Sequence, residues 1–147
     1  MTRLLPFVVV VAACGGKFAA EKPPAGRTFK DMNHAQRIYF MEHEVMPQMR
    51  PVFVAFDPRF EKFECRTCHG DGAHAGTFKM PSPQLPVLPG TEETFMAWVQ
   101  ANPDKGRWAK FMAEQVEPKM AGLLSMKAFD PATKTGDFSC GNCHTMK

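Results

Sequence analysis

Cys65-Arg66-Thr67-Cys68-His69 and Cys140-Gly141-Asn142-Cys143-His144 are the two stretches on which the reading of this 147-residue chain turns. When they are aligned and the alignment is extended backwards, an internal repeat appears. Phe40-Met41 matches Phe111-Met112, Val45 matches Val116, Pro47 matches Pro118 and Met49 matches Met120, all at an offset of 71. Phe56-Asp57-Pro58 matches Phe129-Asp130-Pro131 at 73, and Phe63 and Cys65 match Phe138 and Cys140 at 75, so two short insertions account for the drift. Each unit, about residues 36–69 and 107–144, reads as a proline-bearing helix, a Phe-Asp-Pro turn and a Cys/His motif. The helical stretches carry apolar residues at helical spacing, without strand alternation. The expected fold is all-α and loop-rich, built from two quasi-repeated helix–turn–Cys/His units.

Cys-x-x-Cys-His is the attachment signature of c-type haem: both thiols form thioethers with the porphyrin vinyl groups, and the adjacent imidazole reaches the iron from the same side. Two motifs imply two haem c groups per chain, attached through Cys65, Cys68, Cys140 and Cys143, with His69 and His144 as proximal iron ligands. Zinc sites and redox dithiols also use Cys-x-x-Cys. A four-cysteine zinc site leaves both histidines unexplained, and a thioredoxin-like dithiol sits in a strand–helix context that this pattern lacks.

The sixth iron ligand is the next question. Three residues follow His144, too few to return on the distal face, so the second distal ligand is expected from upstream. Met41, Val45 and Met49 fall at i, i+4 and i+8, as do Met112, Val116 and Met120, and each set makes one helix face. Met49 and Met120 are therefore the candidate distal ligands, although methionine at such spacing is also a common core filler. Met80, followed by Pro81, is the alternative for the first iron and is similar to the methionine loop that trails the attachment site in single-haem cytochromes c; His34, His43 and His74 also compete. With both axial positions filled, the expected function is electron transfer, requiring no catalytic acid, base or nucleophile. A haem enzyme or gas sensor, peroxidase-like and with one five-coordinate iron, is the alternative, using a polar distal residue such as His43 or His74.

The rest of the chain reads as an exported protein. Met1-Thr2-Arg3 and about ten apolar residues form a leader too short to span a membrane, over residues 1–13. Val11-Ala12-Ala13-Cys14 resembles a bacterial lipobox, with Cys14 as the lipidated residue, and this accounts for the fifth cysteine. Residues 14–27 read as a lipidated, flexible tether and 28–147 as the dihaem cytochrome domain. Thr28 with Asp31 is read as the start of a helix over Met32 to Met46 that Pro47 and Pro51 kink or divide. Thr91 is a good N-cap for a helix through Val99, closed by Asn102-Pro103-Asp104 and Gly106, and another helix is expected from about Arg107 to Lys127. A net charge of +3 with no basic run gives nucleic-acid binding no support. The expected partners are a redox protein donor and acceptor and, through the lipid anchor, the periplasmic side of a bacterial membrane.

A methionine-bearing helix, a turn and then Cys-x-x-Cys-His some 16 to 20 residues on resembles the haem-binding segment of the multihaem cytochrome subunit of photosynthetic reaction centres. The resemblance covers about residues 36–69 and 107–144. It implies that Met49 and Met120 are sixth ligands opposite His69 and His144. This chain departs from the family in having two units rather than four and a proline just before each methionine.

Overall fold

Asn33 decides where the first long helix begins. Its side chain accepts a hydrogen bond from the Gln36 backbone N–H at 2.9 Å, and the Gln36 side chain accepts one from the Asn33 N–H at 3.2 Å, a capping box that satisfies two donors at once. Thr28 does hydrogen-bond Asp31, but this pair shapes only the short 3-10 turn Phe29–Asp31. The computed structural model describes residues 18–147. The leader and Cys14, on which the export and lipidation expectations rest, lie outside the described residues.

The first helical run consists of α1 (His34–Phe40), a π-helical turn (Met41–Val45) and α2 (Met46–Phe56). Pro47 does not divide it. A proline lacks the N–H and its ring presses on the carbonyl four residues back. Here the turn before it widens, with Met46 N–H donating to Met41 C=O five residues away, and the helix passes over the proline. Next come α3 (Cys65–His69) and α4 (Asp71–Ala75). Thr91 caps α5 (Glu92–Ala101) in a capping box with Thr94, as expected.

The second run begins at Pro103 rather than Arg107, because α6 (Pro103–Phe111) restarts directly after Asn102, with proline in the first turn, where its missing N–H costs nothing. A π-turn (Met112–Val116) and α7 (Glu117–Leu123) complete it. Glu117 N–H donates to Met112 C=O, so Pro118 is passed in the same way as Pro47. The helix ends at Leu123, short of Lys127, because Ser125 turns into the left-handed region at φ 57°.

The two runs pack with each π-turn against the other run's α-helix, Met41–Val45 on α7 and Met112–Val116 on α2. Between them lies a core of Val45, Met49, Phe53, Phe63 and Phe111. Phe53 meets Phe63 at 4.6 Å and Phe111 edge-on at 5.2 Å, and Phe56 stacks on Phe111 at 3.8 Å. Such pairs contribute about 0.5–1.5 kcal/mol each beyond area burial. A second cluster joins Ala121, Leu124 and Phe138. Among the described residues there are isolated β-bridges but no strand, so the fold is all-α and loop-rich. No helix among them is long and apolar enough to cross a membrane.

The Phe-Asp-Pro turns are alike locally. Asp57 Oδ1 accepts from Arg59 N–H at 3.0 Å and Asp130 Oδ1 from Ala132 N–H at 2.9 Å, an Asx-turn in each case. The stretches around them differ, since α2 has 11 residues and α7 has 7. The described part of the expected tether also makes contacts: Glu21 N–H donates to Ala35 C=O at 3.2 Å, and Phe18 meets Phe78 edge-on.

Candidate functional site

Each Cys/His motif opens on its own capping box. Glu64 pairs with Thr67 ahead of α3, and Ser139 pairs with Asn142 ahead of the 3-10 turn Cys140–Asn142. Because the box fixes the first turn, the chain coils at once and brings the two cysteines and the histidine, at i, i+3 and i+4, to one side. In the second motif His144 N–H closes that coil on Cys140 C=O at 2.8 Å.

Both coils face one cavity of about 1440 Å³. Cys65, Cys68, His69, Cys140, Cys143 and His144 all line it, as do both methionine stripes: Met41, Val45 and Met49 from the first run, Met112, Val116 and Met120 from the second. The volume exceeds the roughly 300–1,000 Å³ of a site for one drug-sized ligand. Met49 is 2% exposed within the aromatic core, Met120 is half-buried, and Met80 also borders the cavity. His34 lies at the cavity, 6.1 Å from Phe78. His43 is exposed and stacks on Tyr39, with Nδ1 2.9 Å from the Tyr39 carbonyl, and His74 is exposed; neither lines the cavity.

The two histidines are held differently. Nδ1 of His144 is 2.9 Å from the carbonyl oxygen of Pro86, 58 residues away in sequence, and this leaves Nε2 to point elsewhere. Nδ1 of His69 is buried and has no hydrogen-bond partner. Burial pushes the His69 pKa down, and the Phe78 backbone opposes this only in part, since that contact falls short of hydrogen-bond geometry.

Burial raises the thiol pKa of Cys68 to about 12, with the nearby Cys143 adding to it, and that of Cys143 to about 11, with Glu117 adding to it. Cys140 rises to about 11, by burial first and then by the Glu117 carboxylate, whose Oε2 is 3.4 Å from its Sγ. These thiols are protonated at neutral pH, the opposite of an activated dithiol. Cys65 is disulfide-bonded in this structure, so any thioether at that position requires its reduction first.

Two groups at the site escaped the sequence reading. Glu117 was visible as the residue that replaces Met46 at the offset of 71. The role of Pro86 had no sequence signal. Ser82 N–H donates to Cys143 C=O at 3.2 Å, and Leu88 and Gly90 pair with Thr145 and Lys147, so the segment trailing the first motif runs along the second. Among the described residues no three of His, Cys, Asp and Glu gather as an ion cluster. No family model, no curated protein and no solved structure matches this chain.

Proposed function

We propose that this protein is a dihaem c-type cytochrome that carries electrons in the bacterial cell envelope, built from two quasi-equivalent units and tethered by lipid on Cys14. The observation that carries the reading is the convergence of both Cys-x-x-Cys-His motifs and both methionine stripes on one apolar cavity. Its size suits two planar macrocycles, and the histidine of each motif lines it.

Cys140 with Cys143, and Cys68 with Cys65 once a thiol reductant has opened its disulfide, would hold the two haems through thioethers. His69 and His144 would hold the irons through an imidazole nitrogen, and Met49 and Met120 through a thioether, which favours ferrous iron relative to a second imidazole. When bound, the haems supply reversible one-electron Fe(III)/Fe(II) chemistry. Phe53 and Phe63 would exclude water from the first site and lower its dielectric. Filled axial positions leave no place for substrate, and His43 and His74, the polar residues an enzyme or gas sensor would use, lie off the cavity. The partners are then a donor and an acceptor redox protein on the periplasmic side of the membrane.

The test is the absorption spectrum of the full chain matured in a host that attaches c-type haem, with and without carbon monoxide. Two haems per chain that ignore carbon monoxide are expected. Uptake by one haem moves the enzyme or sensor reading ahead, and a colourless protein ends the cytochrome reading.

A further inference from the structure

We infer that the two sites are unequal by construction: Glu117 and the Pro86 carbonyl hold the His144 site at the lower reduction potential, so that electrons accepted there run downhill to the His69 site. The inference rests on the cytochrome reading above and assigns a direction to it.

Three separate features point the same way. Glu117 Oε2 is 3.4 Å from Cys140 Sγ, the sulfur that becomes bonded to the porphyrin edge, so a carboxylate stands at that edge. It has no cation within ion-pair distance among the described residues. The first run places neutral Met46 at the same offset. A negative charge beside a metal centre stabilises the more positive, ferric form and lowers the potential.

The second feature is the axial histidine. Nδ1–H of His144 has an acceptor in the Pro86 carbonyl, which makes the imidazole more basic and again favours ferric iron. Nδ1 of His69 has none.

The third is the surroundings. The first site is walled by Phe53 and Phe63 and by Met49 at 2% exposure, where the charged ferric form would be poorly solvated. Two carboxylates do lie nearer the first site and have to be weighed. Glu64 is exposed, and its side chain is occupied in capping α3. Glu42 lines the cavity, where burial favours its neutral form as it does for Glu117. Glu117, by contrast, stands 3.4 Å from Cys140 Sγ.

The step transfers one electron and makes or breaks no bond. A one-electron donor protein is oxidised as ferric iron at the His144 site is reduced. That electron then passes to ferric iron at the His69 site and on to a one-electron acceptor.

Spectroelectrochemical titration of the full two-haem protein at pH 8, with small-molecule mediators, tests this. The wild type should show two separate one-electron midpoints. At several ångströms in an effective dielectric of about 20, a unit charge is worth roughly tenfold or more in an equilibrium. Glu117→Gln should therefore raise the lower midpoint by about 59 mV, the one-electron equivalent of tenfold, and leave the upper one in place. Glu117→Asp, which keeps the charge, should hold the midpoints apart, an outcome that a purely structural role for the side chain does not give. A single shared midpoint in the wild type, or movement of the upper midpoint in Glu117→Gln, overturns the inference while the cytochrome reading stands. Absence of haem, seen in the spectrum before any potential is applied, overturns both.

Discussion

Met49 is 2% exposed and packs in the core with Phe53 and Phe63, so it is both a structural methionine and a candidate iron ligand. The two roles separate experimentally. Met49→Ala should cost about 2–5 kcal/mol in denaturant unfolding, as deletion of a buried methionine generally does. It should also open one of two sixth positions, so that half of the haem binds carbon monoxide. A stability loss without carbon monoxide uptake leaves Met49 as packing alone and moves the ligand role to Met80, which borders the same cavity. Replacing both Cys140 and Cys143 by serine should leave one haem per chain, measurable by mass and by haem content. At this scale the sequence pointed to the residues that line the cavity, because Cys-x-x-Cys-His is a local pattern readable from spacing alone. What it hid were partners fixed by the fold. The Pro86 carbonyl has no side-chain identity to read, and Glu117 looked like an ordinary charge in a helix.

At the scale of elements, the prolines were read correctly as a disturbance and wrongly as a break. Widening of one turn at Met41–Val45 and again at Met112–Val116 lets the helix carry Pro47 and Pro118 without stopping, and each widened turn lies against the opposite run. Restoring the donor with Pro47→Ala should let the turn close to an α-turn, rotating residues before it by about 100° relative to Met49. Circular dichroism should then show unchanged helicity while carbon monoxide uptake rises; an inert haem in that variant means the wide turn does not set the ligand face. The helix start was also misplaced, since Thr28-x-x-Asp31 and Asn33-x-x-Gln36 both look like caps and only the contacts of the second close on a long helix. Asp57 and Asp130, the turn residues, have pKa values below the usual 3.8. For Asp57 the Arg59 side chain is the first cause, and for Asp130 the Ala132 N–H. The unfolded chain therefore binds protons that the fold does not. The contribution of these residues is complete above pH 3.8 and declines as pH falls through the lower folded values. Asp57→Asn should flatten the fall in stability below about pH 4 in acid unfolding curves relative to the wild type.

At the scale of the whole molecule, the sequence conveyed the helical, loop-rich class but not the single shared cavity, which exists only because the two runs cross. The energetics of that cavity set an expectation. An apolar surface of this extent facing water is unfavourable at roughly 25 cal/mol per Å², so whatever covers it stabilises the fold. Protein produced without haem attachment should keep its far-ultraviolet signal, lose its near-ultraviolet signal, bind a hydrophobic dye and melt without a sharp transition. An apoprotein that melts as sharply as the haem-loaded form shows that the prosthetic groups are not part of the core. One feature of the architecture also bears on the order of assembly. The first motif follows α2 closely and is braced by near neighbours, such as Arg50 donating to the Glu61 carbonyl 11 residues away, whereas His144 finds Pro86 across 58 residues. Closing the longer span costs more chain entropy and slows the contact that depends on it. The His144 pocket is therefore the late-forming one, and a folding chain holds its first motif in place while its second is still open.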